Sequence, residues 1–201
     1  MVLGATSSGR TRTLRDHLPS IPFVVALAIV VALGAAAFVY FGGYNIAADA
    51  PHTSGVRSFL EAVRERSIAV RARGIKPPAD LTSPTRIAAG AGLYGEMCVS
   101  CHLGPGVERS ELSQGLYPQA PELAKMGVHD PAEAFWIIKH GVKLTAMPAW
   151  GKTHPDPLIW DMVAFVGKLP SLSPEQYKQL VASAPEDHDA MMKNMGPEHG
   201  R

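Results

Sequence analysis

The chain has two cysteines, and both lie in one short run, Cys98-Val99-Ser100-Cys101-His102. A single pair this close makes no disulfide framework, so the two thiols are there for chemistry. Cys-x-x-Cys leaves a redox dithiol and half a zinc site open, and His102 directly after the second thiol adds a third option. At this spacing two thiols add across the two vinyl groups of one porphyrin edge. The histidine that follows then comes to lie under the iron as an axial ligand. One covalently attached haem is the reading the spacing favours. A thioredoxin-like dithiol would sit in a βαβ setting, and none is visible. Zinc would need further ligands at matched spacing, and His129, His140 and His154 form no such pattern.

Iron held by one histidine has a second axial position to fill. The downstream candidates are Met126, His129, His140, Met147, His154 and Met162. Met147 stands in Thr145-Ala146-Met147-Pro148-Ala149-Trp150, where Pro148 stiffens the chain just past the sulfur. That segment reads as a loop between two helices, and a loop can cross the distal face with the thioether pointing inward. Met162 falls inside an apolar helix and reads as core, and Met126 precedes the middle helix. His140 ends a helix, where a cation suits the helix dipole. The plain alternative for Met147 is gap filling in a core. His102 and Met147 are therefore the expected metal ligands.

These residues need helices to position them. Pro84 to Met97 reads as a helix, with Ser83 as cap and Pro84 at the first helical position. Residues 103–122 carry Gly104, Pro105, Gly106, Gly115, Pro118 and Pro121, and read as an irregular loop. Asp130-Pro131 opens a helix that runs to His140 and stops at Gly141. Residues 142–156 are loop. A helix from Pro157 to Lys168 follows, and Ser173-Pro174 opens a shorter one to about Ser183. No strand pattern and no internal repeat is present. The expected class is all-α.

Upstream, residues 18–48 hold no charge, and Ile21 to Phe41 is the most apolar part. As a helix these residues span about 31 Å, against about 30 Å for a hydrocarbon core. Tyr40, Phe41 and Tyr44 suit the far interface. Arg10, Arg12 and Arg15 place the N-terminus in the cytoplasm and the rest outside. The rival is a cleaved signal peptide, with Ala48-Asp49-Ala50 as the cleavage site. The apolar run is longer than a signal core, and Pro51 follows the site directly. An uncleaved anchor is the expectation.

Residues 54–73 read as an amphipathic helix: Val56, Phe59, Leu60, Val63 and Val70 make an apolar stripe, and Arg57, Arg64 and Arg71 recur beside it. That stripe is costly to leave bare; the expectation is that the arm docks on a membrane partner, with packing on the following domain or on lipid headgroups as the alternatives. Lys76-Pro77-Pro78-Ala79-Asp80 reads as a linker. The expected divisions are a cytoplasmic segment 1–20, an anchor 21–43, an arm and linker 44–83, a helical haem domain 84–183 and a flexible tail 184–201. The tail carries His188, Met191, Met192, Met195 and His199, which could meet Cu(I), but it lacks cysteine and any preorganisation. The formal net charge of +1 excludes a strongly basic nucleic-acid binder.

Residues 84–182 resemble the class I monohaem cytochrome c family. The resemblance rests on Gly92-Leu93-Tyr94 ahead of the Cys-x-x-Cys-His motif, on the Met147-Pro148 loop, and on the last helix with Leu158-Ile159-Trp160 and Val163-Ala164-Phe165. It implies a small helical domain wrapped around one haem c. Its first and last helices would cross closely through Gly90 or Gly92, Tyr94, Trp160 and Phe165. It also implies a Pro-x-Leu segment whose carbonyl accepts the proximal imidazole N–H. Pro121-Glu122-Leu123 fits that segment, with Pro105 as competitor. Leu93, Leu116, Ile137 and Trp150 would line the haem. The family loads its haem outside the bacterial cytoplasm, in agreement with the topology read from the anchor.

Histidine and methionine together leave the iron no open position, so the resemblance implies an electron carrier rather than an enzyme. The soft thioether favours the ferrous state and raises the potential. The expected setting is the periplasmic side of a bacterial inner membrane, with a respiratory oxidase or dehydrogenase as redox partner. A haem enzyme such as a peroxidase or small-molecule reductase, or a haem-based sensor, would need an exchangeable sixth position.

Overall fold

The computed structural model describes residues 19–184. The chain divides between Ala47 and Ala48 into two compact units. The first holds one helix, α1 (Ile21–Tyr40), with Pro22 in its first turn and no buried residue. By length and composition α1 is able to cross a membrane. It ends where Phe41 N–H donates to the Ala37 carbonyl and Gly43 N–H to the Phe38 carbonyl. Between them Gly42 turns to φ +64°, a conformation that glycine adopts without a steric cost. Arg10, Arg12 and Arg15, on which the topology reading rests, lie outside the described residues, as do the histidines and methionines of the tail.

The second unit is helical, with no strand among its described residues. Its helices are α2 (Ser54–Ala72), α3 (Pro84–Met97), α4 (Val99–His102), α5 (Glu111–Gly115), α6 (Leu123–Met126), α7 (Pro131–His140), α8 (Asp156–Lys168) and α9 (Pro174–Ala182). Two short 3₁₀ turns lie at Trp150–Lys152 and Leu169–Ser171. The caps explain several starts. Ser83 accepts from Arg86 N–H, and the Asp130 carboxylate accepts from Ala132 and Glu133 N–H. Ser173 and Gln176 form a reciprocal capping box. Three of these helices also carry proline at the first helical position, where its missing N–H is no loss.

The frame is the crossing of α3 and α8. Gly90 is the point of closest approach, where a Cβ would run into the Asp161 carbonyl. Gly90, one of the two candidate glycines, therefore sits where the crossing leaves no room for a side chain. Tyr94 and Phe165 pack beside it with ring centroids 5.3 Å apart. Trp160, expected at the same crossing, instead stacks on Phe135 at 4.2 Å, because it leaves α8 on the side that faces α7. The interior has two parts. Leu93, Phe135, Leu158, Ile159, Met162 and Val163 form one, and Ala91, Tyr94, Phe165, Val166, Leu169 and Tyr177 the other. Each large side chain so buried stabilises the fold by about 1.5–3 kcal/mol. An ion pair ties α3 to α8, with Arg86 Nη1 2.6 Å from Asp161 Oδ1.

The expected helix over 54–73 forms as α2 and packs on α7, on a face that only partly overlaps the expected stripe, Val56 and Leu60 being half-buried. Ile68 and Ala72 are its buried residues, whereas Phe59, Val63 and Val70 of the expected stripe are exposed. The stripe was legible because its members crowd the N-terminal half. The contact is set by the C-terminal half, where the chain runs on through Ile75 and Leu81 into the core around α8. The loop 103–122 also differs from expectation in holding one short helix, α5, which Ser110 caps by accepting from Ser113 N–H at 3.0 Å.

Candidate haem centre

The two thiols and the imidazole sit where α3 hands over to α4. Cys98 caps α3, its N–H donating to the Tyr94 carbonyl, and its own carbonyl accepts from Cys101 and His102 N–H at 3.2 and 2.9 Å. One helical turn therefore carries both sulfurs and the histidine. Both thiols are unpaired and half-buried. Burial, with Cys101 beside it, pushes the Cys98 thiol up to about 12. A resting dithiol nucleophile needs the opposite, a depressed thiol pKa.

The chain leaves this turn abruptly. Leu103 has φ 59° and ψ −172°, a region that only glycine occupies freely and that costs other residues about 1–3 kcal/mol. Two contacts hold it there. The buried Tyr94 hydroxyl donates to the Leu103 carbonyl at 2.5 Å. Burial pushes that phenol well up, so it stays a neutral donor. Gly104 follows under the Tyr177 ring, where a Cβ would lie 2.8 Å from a ring carbon. Ser110 Oγ also donates to the Ser100 carbonyl at 2.6 Å, tying the loop back to the motif.

His102 Nδ1 lies 2.9 Å from the Pro121 carbonyl. A carbonyl only accepts, so Nδ1 carries the proton and Nε2 keeps its lone pair. Burial lowers the pKa of this imidazole, and the bond to Pro121 opposes that shift. The acceptor is Pro121 rather than Pro105. Two residues on, Leu123 packs against the Tyr94–Phe165 part of the core. Glu122 adds ion pairs to Arg109 at 3.0 Å and to Lys125.

Met147 stands on the loop between α7 and α8 and is half-buried. The loop is folded tightly on itself. Val142 N–H donates to the Met147 carbonyl at 3.2 Å. Thr145 Oγ1 donates to the Val142 carbonyl and accepts from Met147 N–H. Gly141, at φ +64°, lets the loop close, because a Cβ there would lie 2.7 Å from the Met147 and Pro148 carbonyl oxygens. Trp150 follows and packs against the Phe135–Met162 part of the core.

The competing ligands sit otherwise. Met162 is wholly buried in the core, and Met126 is exposed. His129 is exposed, and His154 is buried under its own loop with Nδ1 close to Thr153 Oγ1 and the Trp150 carbonyl. His140 lies against Trp136 on a cleft of about 440 Å³ lined by none of Cys98, Cys101, His102 and Met147. Among the described residues no group of three or more His, Cys, Asp or Glu converges to hold a metal.

Sequence reasoning overlooked the Tyr94–Leu103 and Ser110–Ser100 bonds. Tyr94 stood out only as a packing residue, and nothing local to Leu103 announces positive φ. What remains is a donor set that fits a covalently held haem: two free thiols on one turn and an imidazole with Nε2 available.

Residues 85–166 match the family model described as cytochrome c oxidase, cbb3-type, subunit III. No curated protein and no solved structure matches the chain. The matched span begins with α3, takes in the Cys-x-x-Cys-His turn, Pro121 and the Met147 loop, and ends within α8. The match over residues 85–166 is to a c-type cytochrome domain and is consistent with the class I kind; such a domain suggests haem electron transfer.

Proposed function

We propose that this chain is a single-haem electron carrier, anchored in a bacterial inner membrane by α1 with its haem domain on the periplasmic side. Cys98 and Cys101 would hold the haem through thioether bonds, and His102, through Nε2, and Met147 would be its iron ligands. The carrying observation is the 2.9 Å contact between His102 Nδ1 and the Pro121 carbonyl. It orients the ring and leaves Nε2 as the only nitrogen for a metal, as hydrogen bonds to the second nitrogen do in metal sites. Haem supplies one-electron Fe(III)/Fe(II) cycling. This chain's residues would hold and orient its ligands. Leu123 supports the proximal side and Trp150 packs behind the distal loop.

The family model's description names an oxidase subunit, which supports a respiratory oxidase complex as the partner class. Spectra of the purified full chain test the carrier reading. Ferric and ferrous forms should both be low-spin and indifferent to cyanide and CO. Ready CO binding by the ferrous form would instead support a haem enzyme or sensor with an exchangeable distal ligand.

A further inference from the structure

The face of α2 turned away from α7 is unusual for a helix packed on a domain. At about 100° per residue, Phe59, Val63, Arg66, Val70 and Arg73 fall within an arc of about 80°, and Ile68 lies opposite. Ile68 and Ala72 are buried, and this opposite arc is bare: Phe59 is 67%, Val63 51% and Val70 43% exposed. Arg66 and Arg73 are exposed too, and neither forms an ion pair among the described residues. The two acidic residues of the helix, Glu61 and Glu65, fall outside the arc.

We propose that this arc of α2 is a membrane-surface contact, seating Phe59, Val63 and Val70 at the acyl boundary with Arg66 and Arg73 on anionic phosphates. The proposal rests on the reading of α1 as an anchor. Three observations select lipid over protein. Only residues 41–53 separate α1 from α2, and a chain of that length reaches at most about 45 Å, which bounds how far the helix can stray from the bilayer. The arc mixes apolar side chains with cations and no acid, which complements anionic headgroups. Its area is small: a helix of this length is about 28 Å long and about 10 Å wide, some 280 Å², well below the roughly 800 Å² per partner of a stable protein interface. A tethered amphipathic helix needs no such area, because the anchor already supplies proximity. The result would be a haem domain held at a set height and orientation rather than swinging on a free linker.

The test uses the full haem-loaded chain carrying photoreactive benzoylphenylalanine in place of Phe59, in vesicles of phosphatidylcholine with or without phosphatidylglycerol. The same group in place of Gln179 on α9 gives the background. Flotation reports anchoring separately. The expected result is a phospholipid adduct at position 59 in phosphatidylglycerol vesicles, several-fold above the position-179 background. It should fall several-fold in pure phosphatidylcholine and in an Arg66→Gln, Arg73→Gln chain that still floats. A floating chain with no adduct above background, or with a yield indifferent to lipid charge, overturns the surface contact and leaves the anchor standing. A protein adduct at position 59 in native membranes, in place of lipid, overturns it in favour of a docking partner. A chain that does not float removes both readings.

Discussion

The proximal imidazole is oriented by a backbone group 19 residues away, and the turn that carries it is held by Tyr94. Removing the hydroxyl as Tyr94→Phe leaves the Leu103 carbonyl without that donor in a buried site. A cost of about 1–3 kcal/mol in thermal or denaturant unfolding is expected, with haem content retained. On the distal side, Met147→Ala should open the sixth position, so that ferrous protein binds CO. Met147→His should keep the iron six-coordinate and lower its potential by on the order of 0.1 V, since imidazole is harder than a thioether. A potentiometric titration of both variants checks this. Cys98, Cys101 and His102 stand out in the sequence because covalent haem attachment would fix their spacing. Pro121 could be reached only through resemblance, since nothing in residues 103–122 says which of its prolines returns to the imidazole. Leu103 could not be reached at all, because its positive φ goes with the Tyr94 bond from α3 and with Tyr177 of α9 packed over Gly104, neither of which is marked in the sequence around Leu103.

Helix existence followed the pattern of caps and prolines closely, since Ser83, Asp130 and Ser173 each act locally on the first turn. Which face a helix buries is decided by its neighbours, and there local periodicity misled. The stripe at Val56, Phe59, Leu60 and Val63 outweighs Ile68 in any short window, yet Ile68 and Ala72 are the buried residues, while Val56 and Leu60 are half-buried and Phe59 and Val63 exposed. The α3–α8 crossing has its own test. Gly90→Ala pushes a methyl against the Asp161 carbonyl on backbone that cannot move aside cheaply, and a loss of roughly 1–3 kcal/mol or more is expected. Gly167→Ala, with open space at its Cβ, is the control and should be neutral or slightly stabilising through helix propensity. Thermal unfolding of the two variants distinguishes them.

At the scale of the whole molecule, the proposed function combines one apolar helix able to cross a membrane with one c-type cytochrome domain as a tethered carrier. If α1 is an uncleaved anchor, the mature chain should stay with membranes through alkaline carbonate washing, and a chain starting at Ala48 should be soluble with its haem intact. Release of the full-length chain by carbonate, or a mature N-terminus near Pro51, would mark a cleaved signal instead. The claim on which everything else rests is narrower, that Cys98 and Cys101 both bond one haem. Mass analysis of the mature chain under denaturing conditions tests it most directly. The account predicts the polypeptide mass plus one haem, with the added mass mapping to the peptide that holds Cys98 and Cys101 and surviving extraction with acidified acetone. A bare polypeptide mass, with all haem in the acetone, would contradict it.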